Sequence, residues 1–184
     1  MKVTPIGKLT GFVAIERPST KFDEAGVYSC QVAFAGDSAK KIKSDIDELM
    51  AQSLANGKTV TKPFEPPYTI EGKELIVKFK QKAKIVSKTG ESFTSKVRIF
   101  DSKNQEMSDV GMGAGSTVII AYKPYLWAVK ALGCGVTLQL RMVQVLDLVK
   151  IEGFGASPFD STEGFVASVK EDDPFDTDKN DWDF

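Results

Sequence analysis

Residues 74 to 86 read Glu-Leu-Ile-Val-Lys-Phe-Lys-Gln-Lys-Ala-Lys-Ile-Val, and a period of two over that length leaves little choice but an extended strand with one buried face. The alternation sends Leu75, Val77, Phe79, Ala83 and Ile85 to one side and Lys78, Lys80, Lys82 and Lys84 to the other. Four ammonium groups then stand about 7 Å apart, twice the rise of a strand residue. That spacing is close to the phosphate repeat of an extended nucleic-acid strand. The same row would equally serve as the charged edge by which a sheet avoids aggregation.

A strand of this kind needs partners, and the chain supplies them. Residues 2 to 17 are apolar stretches punctuated by Gly7 and Gly11, as a curved, bulged strand requires, and Pro18 ends them. Val27 to Phe34 places Tyr28, Cys30, Val32 and Phe34 on one face. The period then changes: from an N-cap at Asp37 or Ser38 to a stop at Asn56-Gly57, Ile42, Ile46, Leu49 and Met50 recur at helical spacing. Residues 57 to 72 carry Pro63, Pro66 and Pro67 and read as a long irregular loop. Ser95 to Phe100 forms a short strand with Lys96 and Arg98 on one face, followed by a tight turn at Asp101 to Gln105. Gly111 to Gly115 is glycine-rich but lacks the Lys-Ser/Thr ending of a phosphate loop, so it reads as a flexible turn. Thr117 to Tyr122 is a buried strand that runs into Lys123-Pro-Tyr-Leu-Trp127, and Val136 to Val149 is the final long strand.

Short curved antiparallel strands, one helix inserted in a long connection and no parallel βαβ repeat predict a mainly β domain. The expected form is a small Greek-key barrel of the OB type over residues 1–150, with a flexible linker and a disordered acidic tail over 151–184. Charge divides along the same boundary. Residues 1–150 hold 22 Lys+Arg against 15 Asp+Glu, a net of +7; residues 151–184 hold 2 against 10, a net of −8; together these give the −1 of the whole chain. The end of the sequence, with Asp172, Asp173, Phe175, Asp176, Asp178, Asp181, Trp182, Asp183 and Phe184, has no periodicity that would bury it and reads as a solvated interaction tail. A basic body beside an acidic arm points to nucleic-acid binding regulated by charge.

Histidine is absent, which removes the commonest general base and the commonest transition-metal ligand. The body's acids are scattered rather than clustered, so neither catalytic residues nor a metal or other cofactor is expected. Cys30 and Cys134 lie among strand residues and read as reduced core positions. With no apolar leader and no run that would span a bilayer, the expected location is the cytoplasm. Tyr122, Tyr125 and Trp127 bracket Lys123, the juxtaposition that stacking on unpaired bases needs, although the same rings would also fill a core.

Three segments carry a resemblance to a known family: Gly115-Ser-Thr-Val-Ile-Ile-Ala-Tyr-Lys-Pro-Tyr-Leu-Trp127, Gly135-Val-Thr-Leu-Gln-Leu-Arg-Met-Val-Gln-Val-Leu146 and Asp181-Trp-Asp-Phe184. The chain resembles the single-stranded DNA-binding proteins of tailed phages, the podovirus type with one OB barrel and an acidic tail ending in Phe. Asp172-Asp-Pro-Phe175 is also similar to the acidic tip of bacterial single-stranded DNA-binding proteins, where that motif is terminal. The resemblance implies a protein of the host-cell cytoplasm that coats single-stranded DNA during replication and recombination. It implies a tail that competes for the DNA groove and recruits polymerase and primase-helicase, and a homodimer as a frequent state. Lys78, Lys80, Lys82, Lys84, Lys96, Arg98, Lys123 and Arg141 are then the phosphate-neutralising candidates; Tyr122, Tyr125 and Trp127, with Phe22, are the stacking candidates. The competing readings are an OB-type adaptor without nucleic-acid affinity and, more remotely, a carboxylate-dependent nuclease.

Overall fold

A computed structural model describes residues 1–21, 23–57, 62–86 and 90–151. Eleven strands and one helix follow each other as β1 Lys2–Val3, β2 Gly7–Ser19, β3 Val27–Ala35, α1 Gly36–Asn56, β4 Tyr68–Glu71, β5 Glu74–Lys82, β6 Lys84–Val86, β7 Ser92–Thr94, β8 Arg98–Phe100, β9 Glu106–Met107, β10 Thr117–Val129 and β11 Gly133–Asp147.

Five of these strands close on themselves. β2 pairs with β3 and β3 with β5, β5 meets β11, β11 runs along the whole of β10, and β10 returns to β2 at Val118↔Gly7. This ring, β2-β3-β5-β11-β10, is the strand order of an OB barrel, and α1 is inserted between its second and third strands. The expected mainly β, OB-type fold with one inserted helix is what forms. Not every pairing is antiparallel, however. β5 and β8 both lie parallel to β11, the former through the single register pair Gln139↔Lys80. Closure of a small barrel demands such a crossing, and alternation patterns carry no information about it.

The alternating residues meet inside. Tyr28, Cys30, Val32 and Phe34 of β3, Leu75, Val77 and Phe79 of β5, Val118, Ile120 and Tyr122 of β10, and Leu138 and Leu140 of β11 are all buried. At about 25 cal/mol per Å² of apolar surface, each large side chain removed from water there contributes roughly 1.5–3 kcal/mol. Cys30 and Cys134 are both buried, as core positions should be. Gln81 takes an interior position of β5; its Nε2 donates to Lys82 O at 3.1 Å and to Ser95 Oγ at 3.1 Å.

α1 lies against the barrel through Ile42, Ile46, Leu49 and Ser53. Its N-cap is Ala35, two residues before Asp37 and three before Ser38, the expected caps, and makes no side-chain capping bond, so tertiary packing rather than a local cap sets its start. Its far end is tied to the barrel. Ser53 Oγ donates to Gly135 O at 2.9 Å and lies 3.2 Å from Trp127 O, pinning α1 to both strands of the β10–β11 hairpin. Tyr68 to Glu71, expected to be loop, form β4, because the turn at Gly72-Lys73 folds them antiparallel onto β5. Tyr68 Oη then donates to Asp47 Oδ1 at 2.7 Å, and Asp47 also pairs with Lys43. The glycine-rich stretch is held rather than loose: the Glu16 carboxylate accepts from the N–H groups of Val110 at 2.7 Å and Gly111 at 3.1 Å. Among the described residues, no helix is long and apolar enough to cross a membrane.

Candidate nucleic-acid interface

The inward alternation of the ring strands fixes what they present outward. On β5 the exposed side chains are Glu74 at its start and then Lys78, Lys80 and Lys82. Residues directly opposite on neighbouring strands share a face, so Lys78 stands beside Gln31 and Lys80 beside Ser29 on β3. Across the parallel contact Lys80 stands beside Gln139 of β11, and Gln139 in turn faces Lys123 of β10. Arg141 joins them by donating from Nη2 to Gln139 Oε1 at 2.8 Å. Lys78, Lys80, Lys123 and Arg141 are thus gathered on one curved surface by strands far apart in sequence.

Aromatic rings border this surface at the β10–β11 hairpin. Tyr125 is 55% exposed beside Thr137. Trp127 lies half-buried, its indole N–H donating to Thr137 Oγ1 at 3.1 Å. The indole rests on Gly135: a Cβ there would stand 2.4 Å from the ring, so any other residue would push Trp127 away. Phe64 meets the indole edge-on with centroids 5.1 Å apart. Phe64 is held by its own N–H donating to Cys134 O at 2.7 Å, while Cys134 N–H donates to Lys62 O at 2.8 Å. Between Phe64, Trp127, Thr137, Lys78 and Lys80 runs a cleft of about 280 Å³, with the carboxylate of Glu65 among its lining groups. Cations and a propped indole in one cleft are the two components that bind a phosphate and a base face together.

Other expected positions fall elsewhere. Tyr122 is corrected: it is 1% exposed, its ring packs against Phe79 at 5.5 Å inside the barrel, and it presents no face to stack on. Burial, with the charge of Asp45 adding to it, pushes the Tyr122 hydroxyl up to about 12. Lys96 and Arg98 line a separate cleft with Glu16, Glu106 and Asp109. Arg98 is committed there, donating to Glu106 Oε1 at 3.0 Å and Oε2 at 2.8 Å with its guanidinium over Phe100. Glu106 raises the Arg98 pKa and Arg98 lowers that of Glu106. The row of four lysines is interrupted, because β5 ends at Lys82, whose Nζ is 3.6 Å from Asp23 Oδ2. Lys84 starts the separate β6–β7 ribbon, and Ile85 is exposed there instead of buried. Phe22 and the tail positions Asp172, Asp173, Phe175, Asp176, Asp178, Asp181, Trp182, Asp183 and Phe184 lie outside the described residues. Gln139, Thr137 and Phe64 were not anticipated. The first two were legible as outward positions of β11, whereas Phe64 belongs to a proline-rich loop whose path no local pattern dictates. Among the described residues no group of three or more His, Cys, Asp or Glu is placed to hold a metal ion.

No family model matches the sequence, and no curated protein does either. Solved structures do match. The single-stranded DNA-binding protein gp2.5 encoded by bacteriophage T7 superposes with a TM-score of 0.66 at 21% identity, over 85% of this chain and 96% of that one. This is the fold of phage single-stranded DNA-binding proteins. The single-stranded DNA-binding protein of bacteriophage Enc34, solved in complex with ssDNA, shares the fold with a TM-score of 0.60 at 14% identity, over 82% of this chain and 88% of that one. Its C-terminal truncation gives 0.59 at 13% identity, over 80% and 86%. The resemblance drawn from the β10 and β11 segments therefore holds at the level of the fold.

Proposed function

We propose that the chain binds single-stranded DNA, with little sequence preference, across the outward face of β3, β5, β11 and β10. The observation that carries this is the cleft in which Lys78 and Lys80 stand beside Trp127 and Phe64. It lies on the third strand of the barrel and beside the hairpin joining the fourth and fifth, within the region where OB folds take oligonucleotides. Lys78, Lys80, Lys123 and Arg141 neutralise phosphates; Trp127, Tyr125 and Phe64 offer rings, each worth about 1–3 kcal/mol to a stacked base. A solved neighbour holding ssDNA on the same fold supports the reading.

The acidic segment completes it. Residues 1–150 act as the binding domain, and 151–184 as a linker with a tail of net −8 that competes for the basic face at tether-limited concentration. Displaced by DNA, the tail recruits the polymerase and primase-helicase of a replication and recombination machinery through Asp172, Asp173, Phe175, Asp176, Asp178, Asp181, Trp182, Asp183 and Phe184. The test is titration of the full chain, and of a form ending near Ser168, with a fluorescent single-stranded oligonucleotide at two salt concentrations. Tighter binding by the shortened form, with the gap narrowing at high salt, is expected. No binding by either form would reject the proposal in favour of a protein adaptor.

A further inference from the structure

We propose that a second nucleobase site, built on Phe12, lies on the far side of Lys80 from Trp127. The inference rests on the single-stranded DNA reading above and extends it to a part of the surface that no sequence pattern singled out. A cleft of about 500 Å³ is lined by Phe12, Ser19 and Lys21 with Asp23, and by Val27, Ser29 and Lys80. Lys80 also lines the Trp127 cleft, so one ammonium group stands between two concave sites, each walled by an aromatic ring.

The cleft exists because of how β2 is bent. Between Thr10↔Gln31 and Ala14↔Ser29 the chain takes four steps along β2 against two along β3, and between Ala14↔Ser29 and Ser19↔Val27 five against two. The surplus residues arch β2 away from β3 and open a space over Val27 and Ser29. Gly11, at φ +62, starts the arch; the Cβ position there faces the Gln31 side chain on the outward side of β3. The residue that follows, Phe12, is 66% exposed, a large ring left in water where burial would favour it by roughly 1.5–3 kcal/mol. A purely structural role does not explain a phenylalanine there.

The occupant that fits is a base of the same strand whose phosphates cross Lys78 and Lys80. Most of the surface of the cleft is apolar, as a base face prefers, and Ser19 and Ser29 of its lining offer hydroxyl groups to base edges. Continuity with the lysines supplies the charge complementarity that an isolated apolar groove would lack. The path from Trp127 on β10 across β11, β5 and β3 to β2 crosses four strand spacings, about 19 Å at ~4.8 Å each. A strand engaging both sites therefore spans several nucleotides, within the about 4–16 covered by one OB fold.

Binding of an oligothymidylate by the full chain, followed over a range of salt, tests this with Phe12→Ala and Phe12→Trp beside the wild type. Phe12→Ala is expected to weaken binding about 5- to 150-fold, the equivalent of losing one stacked base. The slope of log K against log salt should stay unchanged, because a ring releases no counterions. Phe12→Trp should retain or tighten binding, and thermal unfolding should report an intact fold for both, since the side chain is mostly in water. Wild-type affinity in Phe12→Ala, with the wild type binding normally, would overturn the second site alone. Failure of the wild type to bind any single strand would instead overturn the underlying reading.

Discussion

Salt dependence distinguishes the assembled face from the other basic surfaces of the barrel. Each phosphate neutralised on a single strand contributes about 0.7 to the negative slope of log K against log salt. Four cations, Lys78, Lys80, Lys123 and Arg141, meet on the β5–β11–β10 surface, so a slope of about −2.8 is expected from them. Raising salt from about 50 to 200 mM should then weaken binding roughly 50-fold. The acidic tail opposes this, because salt also loosens its hold on the same face, and the full chain should show a shallower slope than that sum. Because the tail competes for the same lysines, the variants are compared in the form ending near Ser168, where it no longer does. Lys80→Ala should flatten the slope by about 0.7, and Lys78→Ala with Lys80→Ala by about 1.4. Lys96→Ala and Arg98→Ala, whose charges lie in another cleft with Glu16, Glu106 and Asp109, should leave it alone. Fluorescence anisotropy with a labelled oligonucleotide at five or so salt concentrations reads these slopes directly. If Lys96 and Arg98 carried the salt dependence and Lys78 and Lys80 did not, the site would have been assigned to the wrong face.

Three further outcomes follow from packing. Gly135→Ala should dislodge the indole, breaking the bond to Thr137 and costing about 1–3 kcal/mol of stability by overpacking, seen as a lower midpoint in denaturant and a red-shifted Trp emission. Tyr122→Phe should leave DNA affinity unchanged within twofold, whereas Tyr122→Ala should cost about 3–5 kcal/mol of stability, because the ring is a core element. Burial raises the Cys30 thiol from 9.0 to about 12, so its neutral form stabilises the fold fully below pH 9. That contribution falls by about 1.4 kcal/mol per unit as pH climbs toward 12. Denaturant unfolding between pH 8 and 10 should show the decline in the wild type and a flatter profile in Cys30→Ala; identical profiles would reject the assignment.

The sequence displayed the periods but not their phase at every point. β3 is read correctly because Tyr28, Cys30, Val32 and Phe34 leave only one face to bury. In β10 the same rule was available: Val118, Ile120 and Tyr122 share a parity, and Lys123, Tyr125 and Trp127 share the other, so Tyr122 belonged with the core from the start. Proximity to a lysine in sequence suggested a stacking ring, but a strand reverses its faces at every residue. Lys84 and Ile85 failed for a different reason. Nothing in the alternation marks where β5 leaves the barrel and the β6–β7 ribbon begins, since the pattern of Lys and apolar residues runs across the break.

What remained hidden depends on the closure of the barrel. Lys80 and Gln139 are 59 residues apart by their numbers and meet in one parallel register pair. β4 and Pro67 cover β5 only as far as Lys78; without the pair to Gln139 the Lys80 end would be a charged edge, the alternative the spacing equally allowed, and with it β5 is an interior strand of the ring and edge protection no longer accounts for its lysines. The same closure brings the Phe64 loop against the β10–β11 hairpin and sets Trp127 beside ammonium groups from another part of the chain. A functional reading of a basic strand therefore turns on which strand becomes its neighbour, and here that neighbour carries Thr137, Gln139 and Arg141.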